Sequence, residues 1–121
     1  MTDFSMEVCL FYLYTNFMTD HNKLVRDRIP EIIVENGAKA NTRIIESNDE
    51  YIRELSRKLV EEAGEVLETP TIEELADTQE VIDALVVALG HTATELHVVQ
   101  ADKALKRGKF DKRIYLIDTE D

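Results

Sequence analysis

At 121 residues the chain has room for one domain around one core. Its formal charge of −11 argues against a general nucleic-acid or anionic-membrane binder, which needs a basic face, but leaves open a small anionic substrate held through metal. The one cysteine, Cys9, rules out an intramolecular disulfide and a cysteine-based metal site and reads as a small apolar residue, while His21, His91 and His97 show no metal-ligand spacing.

Residues 1–17 differ in character from the rest of the chain. Met18-Thr19-Asp20 repeats the Met1-Thr2-Asp3 start, so two expectations stand side by side: a start at Met18 preceded by a loose extension over 1–17, or a strand over residues 8–14, a run rich in β-formers. That run is too short to span a bilayer, and no basic stretch precedes it as a secretory signal requires, which implies a cytoplasmic protein. The domain proper is 18–121. Residues 22–29 mix charged and apolar side chains, and Pro30 opens a short helix to Glu35, closed by Asn36-Gly37. Residues 40–46 read as a strand. Ser47 then caps a helix reaching about Glu68, with Glu50 at the third position of a capping box and Ile52, Leu55, Leu59, Ala63 and Val66 along one face.

Pro70 ends that helix, because proline disfavours helical conformation in the residue before it. Thr71, with Glu74 three positions on, starts the next, which runs to about Leu89. Its second half, residues 81–89, is apolar nearly all round, as in a helix buried on every side. A chain this small has few layers to cover such a helix, so self-association is expected. Gly90 ends it, Thr92 and Glu95 form a third capping box, and the last helix stops near Arg107 at Gly108. Residues 113–117 read as a strand partner for residues 40–46. The fold class expected is mainly α: an antiparallel helical bundle of about four helices with a small two-stranded β element.

The stretch from Glu61 to Asp83 carries the chemistry. With the turn at Thr69-Pro70, counting outward along both helices sets Glu65 against Glu74 and Glu62 against Asp77. At about 100° per residue Asp77 falls on the face of Val81, Ala84, Leu85 and Ala88, and Glu62 at the edge of the opposing apolar stripe. Carboxylates beside a core are costly unless paired or bound to metal. With no Lys or Arg at the facing positions, a hard divalent cation taking oxygen ligands is the simplest remedy, and Mg²⁺ binds in this way together with substrate phosphates.

Glu61-Glu62-x-x-Glu65 followed by Glu74-x-x-Asp77 resembles the metal motif of the all-α nucleoside triphosphate pyrophosphohydrolases, which include MazG and phosphoribosyl-ATP pyrophosphohydrolase. Asn22-Lys-Leu-Val-Arg-Asp-Arg-Ile-Pro-Glu-Ile-Ile33 resembles the opening of the small phosphoribosyl-ATP pyrophosphohydrolase-like proteins, and Lys103-x-x-Lys106-Arg107-Gly108-x-Phe110 their C-terminal signature. The resemblance covers roughly residues 20–118. It implies an all-α fold, Mg²⁺ with Mn²⁺ as a substitute, cleavage between the α- and β-phosphates to a monophosphate and pyrophosphate, and a homodimer or homotetramer. The gap from Glu65 to Glu74 is shorter than usual in the family. Glu80-x-x-Asp83 lies at a more typical distance, but Glu74-Leu-Ala-Asp77 matches the family wording and the hairpin register, and Glu80 then stands one turn beyond as an extra ligand.

On this basis Glu62, Glu65, Glu74 and Asp77 are the expected metal ligands, and Glu61 or Glu65 the base that takes a proton from the attacking water. Lys23, Arg26, Lys103, Lys106 and Arg107 are candidate phosphate contacts; the plain alternative is a solvated basic face, with the last three complementing a helix C-terminus. Asp27 is expected to pair with Arg26 and Arg28, Asp102 is either a further ligand or a surface acid, and Phe110 is a core or base-stacking aromatic. Competing with a hydrolase are a catalytically weak nucleotide-binding or regulatory helical module and a purely structural helical oligomer. The base and sugar of any nucleotide are not legible in the sequence.

Overall fold

The computed structural model describes residues 20–121. The expectations for residues 1–17 and for a strand over residues 8–14 lie outside the described residues. Within them run four helices: α1, Ile29–Glu35; α2, Asn48–Glu68; α3, Ile72–Ala88; and α4, Ala93–Arg107.

The three longer helices begin where a hydroxyl takes up an orphan backbone donor. Ser47 accepts from the Glu50 N–H at 3.3 Å, Thr71 from the Glu74 N–H at 3.3 Å and Thr92 from the Glu95 N–H at 3.1 Å. The reciprocal half of a capping box, in which the glutamate side chain returns to the cap N–H, is absent from all three among the described residues. Glu50 instead binds Arg43 at 2.6 Å and Glu95 binds His91 at 2.7 Å, while Glu74 turns into the space between α2 and α3. At the other ends, Gly37, Gly90 and Gly108 all sit at positive φ just past a helix, where a side chain would be strained.

α2 and α3 form the antiparallel hairpin anticipated from Pro70 and Thr71. Residue 62 meets 77 at the turn end, and the Asn48 amide donates to the Ala88 carbonyl at 3.1 Å at the far end. Leu55 on α2 and Val81 on α3 are its buried apolar residues. The segment before α1 folds across the hairpin, and Ile29 and Ile33 pack with Val25, Ile32, Ala38 and Ala40 into a small core of their own.

One expectation is corrected. No strand forms among the described residues, so the β pair of residues 40–46 with residues 113–117 is not present. Arg43 is drawn onto Glu50 of α2, Ile44 stays 84% exposed, and Ile114, Tyr115, Leu116 and Ile117 are all exposed. Two isolated strands with no third strand or helix face beneath them bury too little to offset the cost of ordering. The apolar half of α3 is not enclosed by this chain, in keeping with the few layers available to cover it. Val81 is buried, but Val87 is 72% exposed and Leu89 is exposed too, because α4 leaves α3 through a bend of 108° and packs against it only near their junction. No single described helix is long and apolar enough to cross a membrane.

Replacing Thr71 by alanine removes the hydroxyl that starts α3 and should lower stability by about 1 kcal/mol in urea denaturation, with the transition slope unchanged.

Candidate metal centre

The hairpin register brings the acids together. Glu62, Glu74 and Asp77 each offer one carboxylate oxygen, and the three oxygens lie within 4.8 Å of one another. Glu62 is 1% exposed, deeper than the stripe edge foreseen from helical spacing. Its Oε2, like Oε2 of Glu74, is buried without a hydrogen-bond partner. A buried charged oxygen left unpaired costs more than almost any other single defect. An all-oxygen donor set with unsatisfied buried lone pairs fits a hard divalent cation.

Glu65 stands beside this trio and shares a hydrogen bond with Glu74. Burial pushes its carboxyl up, and that hydrogen bond together with the fields of Glu62, Glu74 and Glu61 carries it to about 7. Burial likewise raises Glu62, with Asp77 and Glu61 adding to the shift and Lys58 opposing it. Glu61 differs. Burial alone would raise it, but Lys23 at 3.1 Å and Lys58 at 3.5 Å outweigh that and hold it below the usual carboxylate range.

Cations reach the acids from outside the facing positions of the hairpin. Lys58, itself buried, sits 3.4 Å from Oε1 of Glu62. Arg26 reaches across from the segment before α1 to Asp77 at 2.7 Å and to Glu80 at 3.8 Å. Lys23 and Arg26 thus stand at the site as foreseen, but against Glu61 and Asp77. Lys58 was legible only as spacing: it lies three residues before Glu61 and four before Glu62, neighbours on one helical face. Its significance depends on Glu62 being buried, which the stripe-edge assignment missed.

The remaining candidates fall elsewhere. Glu80 touches the site only through Arg26, and Asp83 accepts from Gln79 at 2.9 Å, so the second acidic pair is not part of the trio. Arg28 bonds Glu31 and Arg26 bonds Asp77, so neither arginine turns to Asp27 as expected. Lys103, Lys106 and Arg107 lie exposed on the last turns of α4, which touches α3 but not α2. Asp102 pairs with Lys106 at 3.0 Å, a surface arrangement, and Phe110 is 95% exposed rather than in a core.

No protein-family model, curated protein or solved structure matches this chain. The acid geometry therefore stands on its own physical terms.

Two consequences are measurable in the ion-free protein. A carboxyl titrating near 7 when folded and near 4.5 when unfolded binds its proton more tightly in the folded state, so stability is lost as pH rises through that window. In EDTA, the melting temperature should fall more steeply between pH 4.5 and 7 than that of Glu65→Gln; parallel curves would reject the assignment. Lys58→Met leaves Glu62 buried without its counter-charge and should cost roughly 3 kcal/mol in chemical denaturation, a loss that added Mg²⁺ partly restores.

Proposed function

We propose that this chain is a Mg²⁺-dependent nucleotide pyrophosphohydrolase, cleaving a nucleoside triphosphate or a phosphoribosyl-ATP-like nucleotide to the monophosphate and pyrophosphate. The single observation that carries it is the trio Glu62, Glu74 and Asp77, with two buried carboxylate oxygens that lack partners. The resemblance of Glu61-Glu62-x-x-Glu65 and Glu74-x-x-Asp77 to the all-α pyrophosphohydrolase motif supplies the reaction class.

Glu62, Glu74 and Asp77 would hold the ion, which when bound neutralises phosphate charge and lowers the pKa of a coordinated water. The rest falls to the chain. Glu62 is fixed by burial and by Lys58, so its oxygen is already oriented. Of the two candidate bases, Glu61 is held by Lys23 and Lys58, whereas Glu65 adjoins the trio and bonds Glu74. Glu65 is therefore the better placed to take the water's proton. The water oxygen adds to phosphorus, the bond between the α–β bridging oxygen and phosphorus breaks, and pyrophosphate departs with that electron pair. Lys23 on Glu61 and Arg26 on Asp77 flank the trio and can transfer to phosphate once a cation occupies the site.

A nucleotide-binding or regulatory module without turnover is the second reading. It is favoured by the 2.7 Å pair of Arg26 with Asp77, which occupies one expected ligand and one expected phosphate contact at once.

Mg²⁺ should raise the melting temperature of the wild type by several degrees at saturating concentration and leave that of Asp77→Ala unmoved. In a pyrophosphate-coupled assay over a panel of nucleoside triphosphates, the wild type should release pyrophosphate and Asp77→Ala or Glu62→Gln should lose at least a hundredfold in rate. Nucleotide binding by calorimetry without product selects the regulatory module; no effect of Mg²⁺ or nucleotide removes both.

A further inference from the structure

Lys23, Arg26 and Lys58 all stand against the acids, and Lys58 differs from the other two in kind. Lys23 and Arg26 arrive from the segment before α1 on partly exposed side chains, so each can move into solvent or onto a phosphate. Lys58 belongs to α2 itself and is buried. Its Nζ lies 3.4 Å from Oε1 of Glu62 and 3.5 Å from each oxygen of Glu61, one turn further along the same helix. A buried ammonium whose counter-charges sit on its own helix is held in place, because leaving them would strand a charge away from water.

The consequence falls on Glu62. Its Oε1 faces Lys58, and its Oε2 is buried without a hydrogen-bond partner. A carboxylate can bind an ion through one oxygen or through both. In Glu62 one oxygen is held and the other is open, so the residue is set to give a single oxygen. Asp77 and Glu74 are divided in the same way but less firmly. Arg26 holds Oδ1 of Asp77 at 2.7 Å from a partly exposed side chain, and Glu74 shares a hydrogen bond with Glu65 while its Oε2 has no partner. Those two holds can be given up when an ion enters; that of Lys58 cannot.

Divalent cations differ in what they require of a carboxylate. Mg²⁺ demands near-ideal octahedral geometry at short distances and is served by single oxygens, with the remaining positions going to water or phosphate. Ca²⁺ is larger, collects about 6–8 oxygens and commonly takes both oxygens of one carboxylate. A deep glutamate limited to one oxygen therefore suits the smaller ion and withholds from the larger one the oxygen pair it takes up best. Charge alone draws no such distinction, because Lys58 repels both ions alike.

We infer that Lys58 sets the cation specificity of the site: by holding one oxygen of Glu62 it restricts that carboxylate to single-oxygen binding, so that the trio accepts Mg²⁺ and Mn²⁺ in preference to Ca²⁺. Lys58 touches neither ion nor phosphate in this role. It acts through Glu62 and is a positioning residue. The inference rests on the metal reading of Glu62, Glu74 and Asp77 and is independent of whether a nucleotide is turned over.

Calorimetric titration of the full chain with magnesium chloride and with calcium chloride reads the ratio of the two affinities. The wild type should prefer Mg²⁺. In Lys58→Met, which keeps an aliphatic stem but offers no donor, that preference should fall by at least about tenfold, through a larger gain for Ca²⁺ than for Mg²⁺. Loss of the lysine charge by itself strengthens both ions together, so an unchanged ratio overturns the inference, as does a wild type that binds Ca²⁺ as tightly as Mg²⁺. Should Lys58→Met not fold, a crystal structure of the wild type with Mn²⁺, located by its anomalous scattering, gives the answer. One Glu62 oxygen on the ion with the other still on Lys58 is expected; any other arrangement at Glu62, including both oxygens on the ion, is the refuting result. A wild type that binds neither ion removes the metal reading and this inference with it, whereas the expected ratios without pyrophosphate release sink only the hydrolase.

Discussion

Crowding of carboxylates between two helices governs this molecule. The three-residue connection at 69–71 leaves α2 and α3 no freedom of register, and that register sets Glu62, Glu65, Glu74 and Asp77 against each other. Apolar burial in the hairpin is modest, with Leu55 and Val81 its buried apolar residues, so the repulsion is large relative to what opposes it. Lys58 from within the hairpin, and Lys23 and Arg26 from the chain laid across it, are the molecule's own partial answer. Two oxygens remain that this answer does not reach.

The segment before α1 therefore has a double attachment. Its apolar residues make the small core around Ile29 and Ile33, and its basic residues hold the acids. Loss of either attachment would free the other. The coupling makes the position of α1 sensitive to whatever occupies the acid site, because a cation taken up by Asp77 competes directly with Arg26.

Much of this was written locally in the sequence. Serine or threonine three residues before glutamate marks each long helix, glycine closes three of the four, and Pro70 fixes the turn from which the facing of 65 with 74 and 62 with 77 is obtained by counting. What was not legible depends on contacts distant in sequence. The β-forming runs at 40–46 and 113–117 had the right residues, but strand propensity expresses itself only against a surface to pack on, and neither run has one here. The depth of Glu62 and the claim of Arg26 on Asp77 arise from tertiary placement that helical periodicity does not encode. The exposure of α4 has the same origin: its sequence specifies a helix and its two ends, but the direction in which it leaves α3 is set at residues 89–92.

The start of α3 has one more implication. Its first turn is tied by the hydroxyl of Thr71 to the amide of residue 74, and the carboxylate at that residue takes no part in the tie. Backbone order and site charge at position 74 are thus supplied by different atoms. Chemical identity there can drift, from acid to amide or to another ligand type, while the scaffold that presents it stays intact, so this corner of the hairpin is free to change its chemistry without first having to change its shape.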